Sequence, residues 1–412
     1  MLKINDPNGP QSLLANLAET VAVDDTTVDF KLKSPNDQTF PQVLTTPAAP
    51  IVDEQVFPAD RLATADEIVK GKAFAGPYII TNYTENSLVT YQAYDGYQGV
   101  HKPVNKSVSV TYLKDETNLK QQVENGDIDV AYRSLAPTAI EDLRKNQNLT
   151  VHEGPGGELR FMVFNTDTMP FGAKTSTPDA AKAKAVRQAV ASVIDRSAIA
   201  QTVYKDTYSP AYSIVPDSME GATTPFKQYG DGNGGPDVAK AQQILQAAGV
   251  QTPVAIDLQY NEDHYGNSSA DEYAAIKDQL EASKLFTVNL QSTSWTTYTK
   301  ERLDSYPVYQ LGWFPDFSDA DNYITPFFGQ DNFVSSWNSG LSDKLKQDVA
   351  AEPVTADKNQ RLKAISDIQD EVAADALEIP LLTGKQIAVA NKSVQGVVLD
   401  ASFKFYYNSL TK

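Results

Sequence analysis

From Asp115 onward, two hydrophobic periods take turns along the chain, and that alternation restricts the fold more than any other feature of the sequence. Leu119 and Val123 precede Asn125-Gly126-Asp127, which predicts a helix closed by a glycine turn, and residues 128–132 follow as a strand. Residues 137–146 predict another helix and 148–153 a short strand. The Gly154-Pro155-Gly156-Gly157 sequence reads as a break, after which 159–164 resumes as a strand interrupted only by Arg160. Beyond Pro178, Ala185, Val186, Ala189, Val190, Val193 and Ile194 form one apolar helical stripe. Pro236-Asp237 opens a helix that buries Ala241, Ile244, Leu245 and Ala248 and stops at Gly249. Strands at 254–260, 286–291 and 308–313 then alternate with helices near 271–283 and from Thr296. A long helix over 356–374 leads into the apolar stretch 377–382 and terminal strands. Apolar strands that alternate with amphipathic helices need those helices as cover, so the pattern predicts an α/β fold.

The first third is richer in strands. Val28, Phe30 and Leu32 share one face of a half-buried strand at 27–33, and 78–80, 87–94 and 107–112 read likewise, with Asp95-Gly96 as a turn. The glycine-rich segment 229–235 reads as a surface loop, and no internal repeat is visible.

A chain of 412 residues has room for two or three domains, and no apolar run approaches the ~20 residues of a membrane helix. The formal charge of -18 repels polyanions, which argues against nucleic acid and anionic membranes as partners. The richest cationic segment, 182–196, spreads its charges along a helical face that suits solvent. There is no cysteine, hence no disulfide, thiolate site or cysteine nucleophile, and the first ten residues lack the apolar core of a signal peptide.

Signals for catalysis are missing. The three histidines, His101, His152 and His264, have no partner at ligand spacing, so no metal is expected and no cofactor is called for. Neither a phosphate-binding glycine loop nor a nucleophile elbow is present, and Asp231-Gly232-Asn233-Gly234 lacks the spacing and closing glutamate of a calcium loop. Carboxylates abound, but nothing fixes the separation that a glycosidase pair requires. The segment 311–323 is different: an apolar strand runs into an acidic turn in which Trp313 and Phe317 flank Asp316. A carboxylate boxed by aromatic rings faces a lower dielectric and holds a cationic group more strongly. The same residues also fit a strand end with a solvated acidic loop. Among Phe161, Phe164, Trp295, Tyr298, Trp313, Phe317, Tyr323 and Trp337, most serve core packing, and the tryptophans near polar turns are the better candidates for a cleft.

Taken in order, several short motifs resemble the family 5 solute-binding proteins of ABC importers, the oligopeptide- and dipeptide-binding group. They are Gly76-Pro77-Tyr78, Gly126-Asp127-Ile128-Asp129-Val130, Val186-Arg187-Gln188-Ala189 with Ile194-Asp195-Arg196, Ala239-Lys240-Ala241 through Ala247-Ala248-Gly249, Gly312-Trp313 with Asp316, and Ile379-Pro380-Leu381. The resemblance implies a two-lobed periplasmic-binding-protein-like fold of class II type with an extra domain. Residues 1–75 would be the remainder of the extra domain, 76–165 with 396–412 the first lobe, and 166–395 the second.

The family usually begins with a further segment that carries the first strands of lobe one, so the resemblance implies an N-terminally truncated chain whose signal peptide and lipid-bearing cysteine would lie upstream. It also implies a monomeric extracytoplasmic receptor, membrane-anchored through that segment, that captures a peptide and delivers it to ABC permease subunits. Asp316 matches the aspartate that pairs with the peptide's α-amino group. Trp295 and Arg302 match positions that line the pocket, and Gln310 stands where a well-known oligopeptide binder has an arginine. Trp313 and Phe317 flank the anchor, and Phe164 and Asn165 belong to the strand leading to the crossing between lobes. The family also includes binders of oligosaccharides, metal chelates and opines, and the scarcity of histidine counts against nickel.

Overall fold

The computed structural model describes residues 11–412, except 59, 262, 331, 335, 338 and 339. It has two compact units, one made of the chain up to Gly154 together with Gln386–Lys412, the other of Pro155–Lys385. In the first, β1 (Leu17–Asp24) and β2 (Thr27–Leu32) form an antiparallel hairpin. Two short helices follow, α1 (Phe40–Val43) and α2 (Ala65–Gly71). The second starts on a capping box in which Thr64 and Glu67 satisfy each other's backbone N–H groups. A three-stranded antiparallel sheet is built from β3 (Tyr78–Thr84), β4 (Leu88–Ala93) and β5 (Ser107–Thr111). Helix α3 (Glu116–Asn125) ends as the sequence predicts, on Gly126 with φ of 78°. The short strand β6 (Val130–Tyr132) and helix α4 (Pro137–Leu143) complete this part, where Val123, Ala131, Leu143, Leu149 and Val389 share one small core.

The strand β7 (Leu149–Phe164) carries the chain into the second unit. There follow α5 (Ala180–Val193), α6 (Arg196–Thr202), β8 (Tyr208–Pro210) and α7 (Val238–Ala247). Aspartates 179, 195 and 237 cap the three helices by accepting a backbone N–H of the first turn, which is why each starts where it does. The α/β alternation then runs β9 (Val254–Tyr260), α8 (Ser268–Ala282), β10 (Phe286–Ser292), α9 (Trp295–Glu301) and β11 (Val308–Trp313). Three helices, α10 (Asp321–Phe328), α11 (Asp343–Ala351) and α12 (Lys358–Asp375), precede β12 (Glu378–Asn391), which leads back to the first unit.

The sheet of this unit runs β10-β9-β11-β7-β12, with β8 beside β12. Strands β9, β10 and β11 are mutually parallel where they pair, and β11 lies antiparallel to β7, with Trp313 opposite Leu159 and Val308 opposite Phe164. Buried residues run without alternation along 156–164 of β7 and 308–311 of β11, as expected where both faces of a sheet are covered.

Four expectations need correction. Val28 and Phe30 are exposed in β2 rather than facing a core. Arg187 and Arg196 of the cationic segment are buried rather than solvated, the first donating to the Asp375 carbonyl and the second to the Pro380 carbonyl. Residues 154–157 do not break the strand, because β7 runs through them as one element. Its cause lies in Gly156, where a Cβ would collide with the Gly384 carbonyl, so the glycine permits a close approach of backbones rather than a turn. The terminal strands are reduced, after Asn391, to an isolated bridge between Gln395 and Thr411 among the described residues. The glycine-rich segment is a loop as read. Gly230, Gly232 and Gly234 take positive φ, and the Asp231 carboxylate accepts the N–H groups of Asn233 and Gly235.

Candidate functional site

Strand β11 ends at Trp313, and the chain turns through Pro315-Asp316-Phe317 before α10 begins at Asp321. The side-chain oxygen of Asn322, in the first turn of that helix, holds the turn in shape. It accepts the Trp313 indole N–H at 3.1 Å and the Asp316 backbone N–H at 2.8 Å. Phe317 packs inward and is buried, while Asp316 remains exposed. The carboxyl of Asp316 is nevertheless raised above its ordinary range by burial among protein atoms, with a hydrogen bond from Asn322 opposing the shift. The neighbouring Tyr323 is buried and donates its O–H to the Gly157 carbonyl. Burial, followed by the charges of Asp316 and Glu158, pushes that phenol up.

Aromatic rings extend from this turn in two directions. The Trp313 ring meets Phe327 edge-on at 5.2 Å and Phe333 at 5.4 Å. Arg302 donates to the Phe333 carbonyl at 3.1 Å and lies over the Tyr309 ring at 5.9 Å. On the other side, the Gly312 N–H donates to the Tyr265 hydroxyl at 3.0 Å, and a Cβ at Gly312 would sit 2.9 Å from that ring. Tyr265 meets Trp295 edge-on at 5.6 Å, and Trp295 stacks on His264 with 3.8 Å between centroids. The Asp263 carboxylate accepts the backbone N–H of Trp295, the first residue of α9, at 2.9 and 3.1 Å. Trp295, Trp313 and Asp316 are thus joined by a continuous run of contacts, and Arg302 is attached to it through Phe333.

Gln310, Phe164 and Asn165 do not join that group. Gln310 is 1% exposed; its carbonyl accepts the Asn261 N–H and its amide donates to Ser269. Phe164 and Asn165 are fully buried at the opposite end of the β7–β11 pair, five residues or about 17 Å from Trp313. Asn165 donates to the Leu303 carbonyl and Phe164 accepts the Trp337 indole N–H, so their polar groups serve the interior.

Sequence reasoning missed a buried polar network around Arg160, which is 2% exposed. Its guanidinium contacts Glu272 at 2.8 Å, donates to Ser269 at 2.7 Å and to the Tyr265 carbonyl at 3.2 Å, and lies 3.4 Å from Glu158. Tyr204 donates to Glu272 and Tyr208 to Glu158. An arginine inside an otherwise apolar strand was the available signal, since a buried charge requires partners. Asn322 was missed for another reason: its role depends on a helix starting one residue earlier. No group of three or more His, Asp or Glu among the described residues is arranged to hold a metal ion.

Comparison with known proteins bears on what this site serves. Residues 1–335 match the family described as bacterial extracellular solute-binding proteins, family 5 Middle, whose members act outside the cytoplasm. The dipeptide-binding protein of Escherichia coli strain K12 is 23% identical over 409 residues, covering 96% of this chain and 71% of its own. Among solved structures, a putative peptide binding protein, AppA, from Clostridium difficile aligns with a TM-score of 0.81 at 16% identity, over 98% of this chain and 81% of that one. The dipeptide binding protein from Pseudoalteromonas sp. SM9913, in complex with Met-Leu, aligns with a TM-score of 0.74 at 18% identity, over 99% and 79%. These relatives are named for binding rather than catalysis, and the solved structures share the mixed α/β fold. The family match over most of the chain, and relatives that span nearly all of it, lead to one conclusion: the protein belongs to the family 5 bacterial extracellular solute-binding proteins.

Proposed function

We propose that this protein captures peptides and delivers them to the permease of an ABC importer, with Asp316 as the anchor for the ligand's α-amino group. The observation that supports this best is an exposed carboxylate on the turn after β11, raised by its surroundings and braced beside Trp313 by Asn322. A ligand ammonium that covers such a carboxylate excludes water from the pair and strengthens it. Trp313 and Trp295 would flank the bound chain, with Phe317 packed beneath the turn and Arg302 at the edge. Main-chain hydrogen bonds would provide affinity that depends little on side-chain identity. Gln310, Phe164 and Asn165, being buried, would act by supporting the strands beneath the site. Residues 76–165 with 396–412 and residues 166–395 would be the two lobes, and 1–75 part of the extra domain. The protein would work as a monomer outside the cytoplasm.

Native mass spectrometry of the purified protein, before and after mild denaturation, tests this. A set of peptide masses released on unfolding is the expected result. A hexose-spaced mass, or binding confined to sugars, would overturn it.

A further inference from the structure

Behind the Asp316 turn, one guanidinium faces three carboxylates. Arg361 of α12 grips Asp319 with both terminal nitrogens, at 2.7 and 2.9 Å, and its Nε lies 2.6 Å from Glu352. Glu352 is fully buried, Asp321 is 6% exposed, and the Asp319 and Arg361 side chains are 9% and 15% exposed. Asp319 passes this grip to the turn. Its carboxylate accepts the Asp321 N–H at 2.9 Å and its carbonyl the Asn322 N–H at 3.1 Å, and Asn322 in turn holds Trp313 and Asp316. A path of hydrogen bonds therefore connects α12 to the turn.

The charges do not balance. Three carboxylates face the one guanidinium, and desolvation makes it costly for all three to be ionised together. Glu352 and Asp321 repel each other as carboxylates, and burial, the larger cause in both, raises both carboxyls above the usual carboxylate range. The charged groups that face Glu352 are Asp321, Arg361 and Asp319. Burial and then the Asp321 charge push its carboxyl up to about 9, so the proton is retained at neutral pH.

We propose that Arg361, Asp319, Asp321 and Glu352 are positioning residues that brace the ligand turn, and that ligand affinity depends on this brace staying intact. This rests on Asp316 being the ligand anchor. Loss of the proton would set Glu352 against Asp321 and loosen the start of α10, on which Asn322 rides.

The test uses two readouts on the full chain. The first is the indole N–H resonance of Trp313, assigned by its loss in Trp313→Phe, followed from about pH 7 to about pH 10. It should move in the wild type as the proton leaves, stay fixed in Glu352→Gln, and shift at neutral pH in Arg361→Met. The second is calorimetric affinity for a mixture of di- to pentapeptides. Arg361→Met should weaken it roughly tenfold, Arg361→Lys should restore part, and Glu352→Gln should remove its alkaline loss. An indole that titrates alike in wild type and Glu352→Gln, or one indifferent to Arg361→Met, would overturn the brace even if peptides bind. A wild type that binds no peptide would refute the peptide reading, while the indole titration would still decide the brace.

Discussion

A single side-chain oxygen, that of Asn322, receives both the Trp313 indole and the Asp316 amide, so the shape of the Asp316 turn depends on one residue. Replacing Asn322 by alanine would leave both N–H groups without that acceptor. Calorimetry of the Asn322→Ala variant should show peptide affinity reduced by about 1.4 kcal/mol, or tenfold, with the fold retained. At this scale the sequence was legible where chemistry is local. Asp316 between Trp313 and Phe317 can be read from adjacent letters, and its raised carboxyl accords with the low-dielectric argument. Gln310 was not legible in the same way. Its position opposite Met162, inside a sheet covered on both faces, turns a candidate ligand contact into an internal brace, and only the pairing register reveals that.

Among the elements, α5, α7, α8, α9, α12 and strands β9 to β12 follow the apolar periods, because each period is set by burial within a few residues, whereas the short α6, β8, α10 and α11 are not legible in them. Where the elements departed from expectation, the reason was a distant partner. Gly156 looks like a strand breaker until Gly384 is seen beside it. Arg160 looks like an interruption until α8 brings Glu272 and Ser269 to it. The Arg160→Met variant should lose about 3–5 kcal/mol of stability in thermal or urea unfolding, because Glu272 would remain buried without its partner. The cluster behind α10 makes a pH prediction. Glu352 has its folded carboxyl raised to about 9 from an ordinary 4.5, so the folded state holds a proton the unfolded chain has released between those values. Stability is therefore fully present below the unfolded value and is lost as pH rises through that window. Glu378, fully buried and also raised by burial, contributes with the same sign. Melting temperatures measured from about pH 5 to about pH 9 should fall in the wild type, and fall less steeply in Glu352→Gln. Equal slopes would mean that Glu352 is ionised in the folded protein.

For the molecule as a whole, the charge of -18 repels polyanions, and under the proposed function the Asp316 turn would select the ligand. The family could be read from the order of motifs spread along the chain, whereas the units' boundaries could not, because they fall inside β7 and β12 where the local sequence continues as strand. The proposed capture of peptides requires Asp316 to recognise the charged amino terminus of the ligand. Isothermal titration of wild type and Asp316→Asn with one peptide, free and N-acetylated, measures that directly. The wild type should prefer the free peptide by about 2 kcal/mol or more, and Asp316→Asn should abolish the preference. Equal affinity of the wild type for both forms, or a preference that survives in Asp316→Asn, would contradict it.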